Sequence, residues 1–300
     1  MANSITTFKK YIDLLDEVYK NGAKTAILDG DSTLVRMGSN ANEIVIPKMA
    51  MDGLADYSRN SGYVDGSVTL TNETVQFNYD RGRAFTIDAM DNEETAGVAF
   101  GKLASEFIRT KVVPEMDAFR FAKYASVTGI SKVSAGATLS SGADIITALR
   151  TAITKMDEDE VPMENRYLFI TPTLYGTVQD LDTTKSKEVL NRFAGIVQVP
   201  LTRFYTAVTL YDGTTDTSAT SGGVNQIPGG YVKGSSGKDI NFMVIHKPAV
   251  LQYTKHTVNK VISPDENQTA DAWKFPYRAY GLADVYANKA AGIYLHHKAS

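Results

Sequence analysis

The chain has 300 residues, with 43% hydrophobic residues, 22% charged residues and a formal net charge of -3. These values are typical of one large or two ordinary globular domains, and the charge argues against a dedicated nucleic-acid-binding protein, which would usually be basic. Because cysteine is absent, a disulfide scaffold, a thiol nucleophile and thiolate metal sites are excluded. The sequence lacks a membrane-spanning run and a secretory signal, which predicts a cytoplasmic origin and no membrane association.

The first predicted element is a short amphipathic helix at residues 4–20. Its apolar side chains recur at three- and four-residue spacing, namely Ile5, Phe8, Ile12, Leu15 and Tyr19. Asn21-Gly22 is a stop signal. An isolated helix of this length is only marginally stable in water, so it must dock on another surface. Docking on its own domain and docking on a neighbouring subunit both stay open.

Residues 31–91 predict a long hairpin, because they are strand-like, polar and interrupted by glycine. The outgoing strand is Glu43–Met49, the tip covers residues 53–66, and the return covers residues 67–88. In the return, the alternation of apolar and polar residues slips at Asn72–Glu73, which predicts a β-bulge. A hairpin with so few large apolar residues cannot fold by itself, so another part of the protein or another copy must cover it.

A long helix is predicted within residues 92–130. Its apolar side chains keep helical spacing over most of this range: Phe100, Leu103, Phe107, Val112, Met116 and Phe119. Asp91 is the predicted N-cap, since its carboxylate can accept a hydrogen bond from the first turn. Pro114 has no amide hydrogen and therefore predicts a kink or a break, and Gly129 predicts the end of the helix.

A Ser-, Gly- and Ala-rich joint at residues 131–142 leads into a predicted α/β unit. Asp144 is predicted to cap its first helix, and the apolar run at residues 167–170 is typical of a strand that is buried on both faces. Further helices are predicted at residues 173–181 and 187–193, and further strands at residues 195–199, 204–210 and 240–245. Residues 211–238 are rich in Gly, Ser and Thr and predict an exposed, mobile loop.

The last segment combines an alternating strand with a short closing strand. Trp273, Phe275 and Tyr277 share one face of the alternating strand. Lys274 and Arg278 occupy the other face, so one side can be buried while the other stays charged or faces a second subunit. A small-residue turn and a short apolar strand then close the chain. The segment contains no nucleophile, phosphate loop or metal-ligand spacing, which indicates a structural role.

The order of these segments resembles the major capsid proteins of tailed bacteriophages, which have the HK97-like fold. The resemblance starts from the run Asp265-Glu266-Asn267-Gln268-Thr269-Ala270, the strand after it, the turn Ala287-Asn288-Lys289-Ala290 and the closing strand, and it extends over nearly the whole chain. It implies an α+β fold. Its parts would be an N-terminal arm (1–30), an extended β-hairpin or E-loop (31–91), the long spine helix of a peripheral domain with a peripheral β-sheet (92–130), an α/β axial domain (131–255), and a return to the peripheral domain with a terminal strand (256–300).

The resemblance implies a self-assembling shell protein of the virion and no enzyme. Copies made in the bacterial cytoplasm would form the hexamers and pentamers of an icosahedral head around double-stranded DNA, contacted weakly and without sequence preference. A scaffolding protein, a portal and a decoration protein are further partners to expect, and because this chain starts at the arm, any scaffold would be separate. Two alternatives stay open. One is an encapsulin-type compartment with the same fold, and the other is a cytoplasmic α/β enzyme that uses scattered carboxylates.

Intersubunit contacts are predicted at charged and aromatic residues of the hairpin and the last segment. Arg81 and Arg83 lie on one strand face with Gly82 between them, which predicts a clamp on carboxylates of the next chain. An ordinary exposed strand with two cations is the alternative. The other predicted contact residues are Tyr57, Arg59, Tyr63, Lys274 and Arg278.

No catalytic, cofactor-binding or metal-binding residue is predicted. The Gly-rich stretch before Lys238 has no glycine five residues before Gly237, and Asp239 stands where a phosphate loop has Ser or Thr. The four histidines are not spaced as metal ligands. The acidic run Asp157–Glu160 predicts a solvated helix end.

Overall fold

The computed structural model describes residues 22–30, 36–37, 43–94, 103, 106–181 and 183–299. The predicted helix at residues 4–20 and much of the first half of the predicted spine helix lie outside these ranges. The described α-helices are α1 (Ala89–Glu94), α2 (Val113–Ser126), α3 (Gly142–Glu158), α4 (Pro172–Leu181) and α5 (Thr184–Leu190). The strands are β1 (Arg36–Met37), β2 (Glu43–Met51), β3 (Val68–Gln76), β4 (Tyr79–Asp88), β5 (Ser131–Lys132), β6 (Arg166–Ile170), β7 (Gly195–Gln198), β8 (Val208–Leu210), β9 (Tyr231–Lys233), β10 (Ile240–His246), β11 (Val250–Asn259), β12 (Ala272–Val285) and β13 (Ile293–His297).

A five-stranded sheet of order β5-β13-β10-β6-β7 forms the centre of the α/β part. Its strand β6 is covered on both faces. Leu168 and Ile170 are buried in one apolar cluster with α3, whereas Phe169 belongs to the cluster of α2, with its ring 5.3 Å from that of Phe121. Successive side chains therefore enter different cores, which explains why residues 167–170 are all apolar. The prediction of a doubly buried strand is confirmed.

The closing strand β13 lies in this sheet, between β5 and β10, whereas we had expected it to close the peripheral domain. Ile293 and Leu295 enter the cluster of α2, and Tyr294 enters the cluster of α3. A strand that is apolar on both faces needs a sheet that is covered on both sides, and the five-stranded sheet supplies this. The expected return segment 256–300 is therefore shared between two sheets.

A second sheet has the order β11-β12-β4 and is called the β12 sheet here. One face packs against α2, with Phe275 and Tyr277 buried and the ring of Tyr79 5.0 Å from that of Phe119. Arg278 is exposed on the opposite face. The predicted division of this strand into an aromatic face and a charged face is confirmed.

Strand β4 belongs to the β12 sheet, although the sequence analysis placed residues 79–88 in the return of the hairpin. It pairs with β12 from Tyr79 opposite Gly281 to Asp88 opposite Ala272. The side chains of β4 alternate between the α2 side and solvent, so the face that carries Tyr79 and Phe85 needs a covered sheet. The hairpin is correspondingly shorter than predicted.

The hairpin consists of β2, a tip at residues 52–67, and β3. The two strands pair in continuous register from Glu43 opposite Gln76 to Met51 opposite Val68, so the predicted bulge at Asn72–Glu73 is wrong. The apolar residues change phase because two different faces of the hairpin are apolar. The face near the root packs against β11 and β12, and the face near the tip is exposed.

Two helix caps differ from prediction by three residues. The carboxylate of Asp88 accepts a hydrogen bond from the Met90 amide (2.9 Å), so Asp88 and not Asp91 caps α1. In α3, the Ser141 hydroxyl accepts from the Asp144 amide (3.2 Å), and the Asp144 carboxylate accepts from the Ser141 amide (3.1 Å). Ser141 is thus the N-cap, and Asp144 completes a capping box.

A kink or a break was predicted at Pro114, and the backbone there stays helical but changes its hydrogen-bonding pattern. A π-helical turn, Ile108–Val112, precedes α2, and Pro114 lies in the first turn of α2. Proline cannot donate a main-chain hydrogen bond, so the helical pattern changes just ahead of it.

Farther along the chain, only Val208–Leu210 of the predicted strand 204–210 is a strand, and it pairs with β9 inside the predicted loop.

Candidate intersubunit surfaces

The distal half of the hairpin carries an exposed apolar surface. Met49 lies opposite Leu70, and Met51 lies opposite Val68. Residues paired across antiparallel strands share one face, so these side chains form a continuous patch, called the hairpin patch. Their exposed fractions are 62%, 64%, 67% and 67%, respectively. A contiguous exposed apolar surface of this kind usually marks an interaction site.

The tip brings three of the predicted contact residues together. Tyr57 and Tyr63 flank a tight turn that two hydrogen bonds between the main chains of Ser58 and Gly62 close (3.2 and 2.8 Å), and their rings are 4.8 Å apart. Arg59 lies in this turn, and all three predicted contact side chains are exposed or partly exposed. Gly62 has a φ of +80°, which only glycine adopts without strain. Contact of Tyr57, Arg59 and Tyr63 with another subunit stays a prediction.

The root of the hairpin is anchored firmly. Ile44 is buried with Leu251 and Leu282. Asn78, at the passage from β3 to β4, donates to the Ala283 carbonyl (2.8 Å) and accepts from the Ala283 amide (3.1 Å). The hairpin is therefore fixed where it leaves the body of the subunit and exposed along its distal half.

Arg81 and Arg83 share one face, as predicted, but both guanidinium groups bind groups of their own chain. Arg81 Nε is 2.7 Å from Glu115 Oε1 on α2, and Arg81 Nη1 donates to the Tyr211 carbonyl (2.8 Å). Arg83 Nη1 donates to two carbonyls of the β8–β9 connection. In this structure the carboxylate partner of Arg81 belongs to the same chain, whereas we had expected one on the next chain.

Lys274 and Arg278 lie on the outer face of the β12 sheet, away from the hairpin tip. Arg278 Nε and Nη2 donate to the two carboxylate oxygens of Asp80 at 2.8 and 2.6 Å. This hydrogen-bonded pairing holds the pKa of Asp80 below its ordinary value. Lys274 is half-buried, and its main chain pairs with Ile262. The contacts of these two residues with another subunit stay predictions.

A buried polar network at the N-terminal side of the described chain was missed by the sequence analysis. Asp117 of α2 accepts hydrogen bonds from the main-chain amides of Lys24 (2.9 Å) and Thr25 (3.1 Å), from the Thr25 hydroxyl (2.7 Å) and from Arg203 (2.9 Å). Gln252 of β11 donates to the Thr25 carbonyl at 2.8 Å. The network ties the residues that follow the predicted arm to α2 and β11. We had assumed a single apolar stripe on this helix, but α2 is buried on several sides, so an acidic residue also points inward.

Neither a membrane span nor a metal cluster is found in the part of the chain that the structure describes. No described helix is long and apolar enough to cross a bilayer. Among the described residues, no group of three or more His, Asp or Glu side chains could hold a metal ion.

No protein-family model matches this chain, and no curated protein matches it in sequence. Several solved phage structures share its fold. One from Mycobacterium phage Che8 is 12% identical, with a TM-score of 0.64, and the match covers 99% of this chain and 98% of that chain. The mature capsid of bacteriophage PhiM1 is 10% identical, with a TM-score of 0.61 and coverage of 99% and 92%. The capsid of the cyanophage P-SCSP1u is 17% identical, with a TM-score of 0.55 and coverage of 99% and 93%.

These matches cover almost the full length of this chain and of each phage protein. The chain therefore has the α+β fold of phage capsid proteins, the HK97-like fold, as the resemblance implied. At these identities the comparison defines the fold, and the function rests on the surfaces described above.

Proposed function

We propose that the protein is the major capsid protein of a tailed bacteriophage or prophage. Its copies form the hexamers and pentamers of an icosahedral shell around double-stranded DNA, and its role is mechanical. The observation that carries the proposal is the hairpin patch, an exposed apolar face on an element that is anchored at its root. The shared fold with phage capsid structures supports it.

The physical argument concerns what covers the patch. A two-stranded ribbon has no core of its own, so its apolar face gains stability only against another surface. Burying each of these side chains would contribute about 1–2 kcal/mol. In a shell, every subunit can lay its hairpin on the next copy, and obligate interfaces of this kind bury roughly 2,000–5,000 Å². Met49, Met51, Val68 and Leu70 are the residues that we assign to this contact.

The partners beyond the subunit itself follow from the same proposal. A net charge of -3 suits a wall that contacts packaged DNA weakly and without sequence preference. A scaffolding protein, a portal and a decoration protein would act during or after assembly in the host cytoplasm. Tyr57, Arg59, Tyr63, Lys274 and Arg278 would contribute polar contacts between subunits.

The test is the size of the assembled product. The protein is expressed in bacteria and analysed by size-exclusion chromatography and negative-stain microscopy, and closed particles of megadalton mass are expected. Changing Met49, Met51, Val68 and Leu70 together to threonine should abolish the particles and leave a folded subunit, because threonine preserves strand propensity but removes apolar surface. The matched control changes Met90, Met163, Leu201 and Val261, which are exposed elsewhere, to threonine and should assemble normally. A small, uniform oligomer from the unmodified protein would refute the proposal.

The particle contents distinguish a phage head from a compartment for enzymes. A phage head is expected to carry double-stranded DNA when it is purified from its host, and its gene should lie beside those of a terminase and a portal. A shell filled with one enzyme, encoded beside that enzyme, would identify an encapsulin-type compartment instead.

A further inference from the structure

The segment between β8 and β9, residues 211–230, forms a narrow loop that is called the excursion here. All of its residues are described, and none is buried. It is held together by main-chain bonds across its width, such as Thr217 N to Val224 O (3.2 Å) and Gln226 N to Thr215 O (2.9 Å). Without a core of its own, the excursion depends on bonds to the rest of the subunit for a fixed position.

The two arginines of β4 supply such bonds at both ends of the excursion. Arg81 donates to the carbonyl of Tyr211 at its start (2.8 Å) and to that of Gly230 at its end (3.4 Å). Arg83 reaches farther along and donates to the carbonyls of Ile227 and Pro228, each at 3.2 Å. Charge-assisted hydrogen bonds of this type are stronger than neutral ones. The planar, multi-donor guanidinium can bind several carbonyls at once, which the ammonium of lysine does less well.

Glycines on both sides of the excursion make room for Arg83. A Cβ atom added at Gly229 would lie 3.0 Å from Arg83 Nη1, and one added at Gly213 would lie 3.4 Å from it. Both glycines have positive φ angles, +71° and +78°. The turn geometry and the approach of the guanidinium thus depend on the same small residues.

We propose that Arg81 and Arg83 form a latch that holds the excursion against the β12 sheet in the free subunit. They are positioning residues, because they act through the loop that they hold. Because the latch gives the excursion one shape before assembly, the excursion loses little conformational entropy when subunits associate. The consequence for assembly rests on the proposed function, whereas the latch itself can be tested on the subunit alone.

The first test measures hydrogen exchange in the full-length subunit. Arg83→Lys is the cleaner variant, since Arg81 also binds Glu115. Exchange at the amides of Tyr211, Gln226 and Gly229 should rise about tenfold or more, and that of β6 should not change. The matched control is Arg192→Lys, whose guanidinium donates to Asp157 (2.8 Å) and not to the excursion, and it should leave these amides as in the wild type. Unchanged protection in Arg83→Lys would overturn the latch.

A pair of glycine variants provides an independent test. Gly229→Ala would crowd Arg83, whereas Gly222→Ala has a similar φ of +76° but no atom within 4 Å of the added Cβ. Backbone strain is therefore similar in the two variants, and only one disturbs the latch. Limited proteolysis with a non-specific protease should cut the excursion faster in Gly229→Ala than in Gly222→Ala. Equal rates would contradict the proposal.

The last test is the shell. If subunits assemble, Arg83→Lys should give particles of mixed diameter by electron microscopy, and Arg192→Lys should give uniform ones. Uniform shells from a variant with faster exchange would overturn the role of the latch in assembly. If the wild type forms no shells, the proposed function fails, and the exchange measurement still decides whether the latch exists.

Discussion

The five-stranded sheet and the hairpin show two ways in which strands of one chain are stabilised. Leu168 in β6 is 0% exposed, whereas Leu70 in β3 is 64% exposed. Both residues are leucines in strands with regular pairing, so the difference lies in what covers the strand. The five-stranded sheet carries its cover within the subunit, in the form of α2 and α3. The hairpin carries an apolar face that the described part of its own subunit leaves exposed.

The comparison indicates which parts of the molecule serve folding and which serve association. Strands with apolar residues on both faces are completed inside the subunit. A strand pair with an apolar face exposed at its distal end presents that face to another molecule. Substitutions of the same chemical type should therefore affect stability in one region and assembly in the other.

The largest effect on stability is expected from Leu168→Ala. The side chain is fully buried between α3 and the sheet, so its removal leaves a cavity that the surrounding elements fill only in part. We expect a loss of about 2–5 kcal/mol in the free energy of unfolding, measured by urea denaturation. A loss well below this range would mean that the five-stranded sheet is packed less tightly than its burial indicates.

The pH dependence of stability should also report on the five-stranded sheet, through His296 of β13. Burial, with a smaller contribution from His297, lowers the pKa of His296 from 6.5 to about 4. Between these values the unfolded chain binds a proton that the folded chain does not, so stability falls as the pH falls from 6.5 towards 4. The Nδ1 atom of His296 lies 3.0 Å from Nδ2 of Asn241, which also donates a hydrogen bond to the Ala137 carbonyl. Because an amide nitrogen can only donate, Nδ1 of His296 is the acceptor, and the ring is neutral in the folded chain.

The measurement compares unfolding free energies at pH 7 and pH 5 in the wild type and in His296→Gln. The variant should lose part of the pH dependence. His256→Gln, an exposed substitution on β11, is the control and should keep the dependence of the wild type. Identical slopes in the wild type and in His296→Gln would show that this histidine does not contribute.

A smaller effect is expected at the root of the hairpin. Asn78→Ala removes both hydrogen bonds to the main chain of Ala283 and leaves that amide and carbonyl without these partners. We expect a loss of about 1–2 kcal/mol and faster hydrogen exchange in β2 and β3. Asn60→Ala, at the exposed tip, is the control and should change neither quantity. Equal exchange in both variants would mean that the hairpin is not anchored through Asn78.

The smallest effect on the stability of the subunit is expected from Leu70→Ala, the same substitution as Leu168→Ala in the exposed strand. Its effect should stay within about 0.5 kcal/mol, because the side chain is already exposed in the free subunit. Assembly should become less efficient, since the hairpin patch loses part of its apolar surface. A loss of stability as large as that of Leu168→Ala would remove the distinction between the two regions.

Several features followed directly from the sequence because they depend on neighbours along the chain. The apolar run at residues 167–170 identified a doubly buried strand, and Pro114 marked the change in the spine helix. The alternation of β12 separated its aromatic face from Arg278. The same local logic placed the helix caps near the correct ends but missed Ser141, because a capping box contains two suitable side chains and only the backbone decides which one is the N-cap.

The partners of these elements were decided by the tertiary structure. Sequence periodicity states which side of a strand is apolar, but it does not state what lies against that side. Strand β4 pairs with β12, β13 enters the five-stranded sheet, and Arg81 finds its carboxylate in Glu115, all through contacts between segments that are distant in sequence. Which distant segments meet depends on the packing of the whole chain, since each apolar face accepts any surface of suitable shape. The sequence by itself determined the amphipathic patterns and the shortage of large apolar residues in the hairpin, because both are local in the chain. Only the three-dimensional packing determined which faces the described part of the subunit covers.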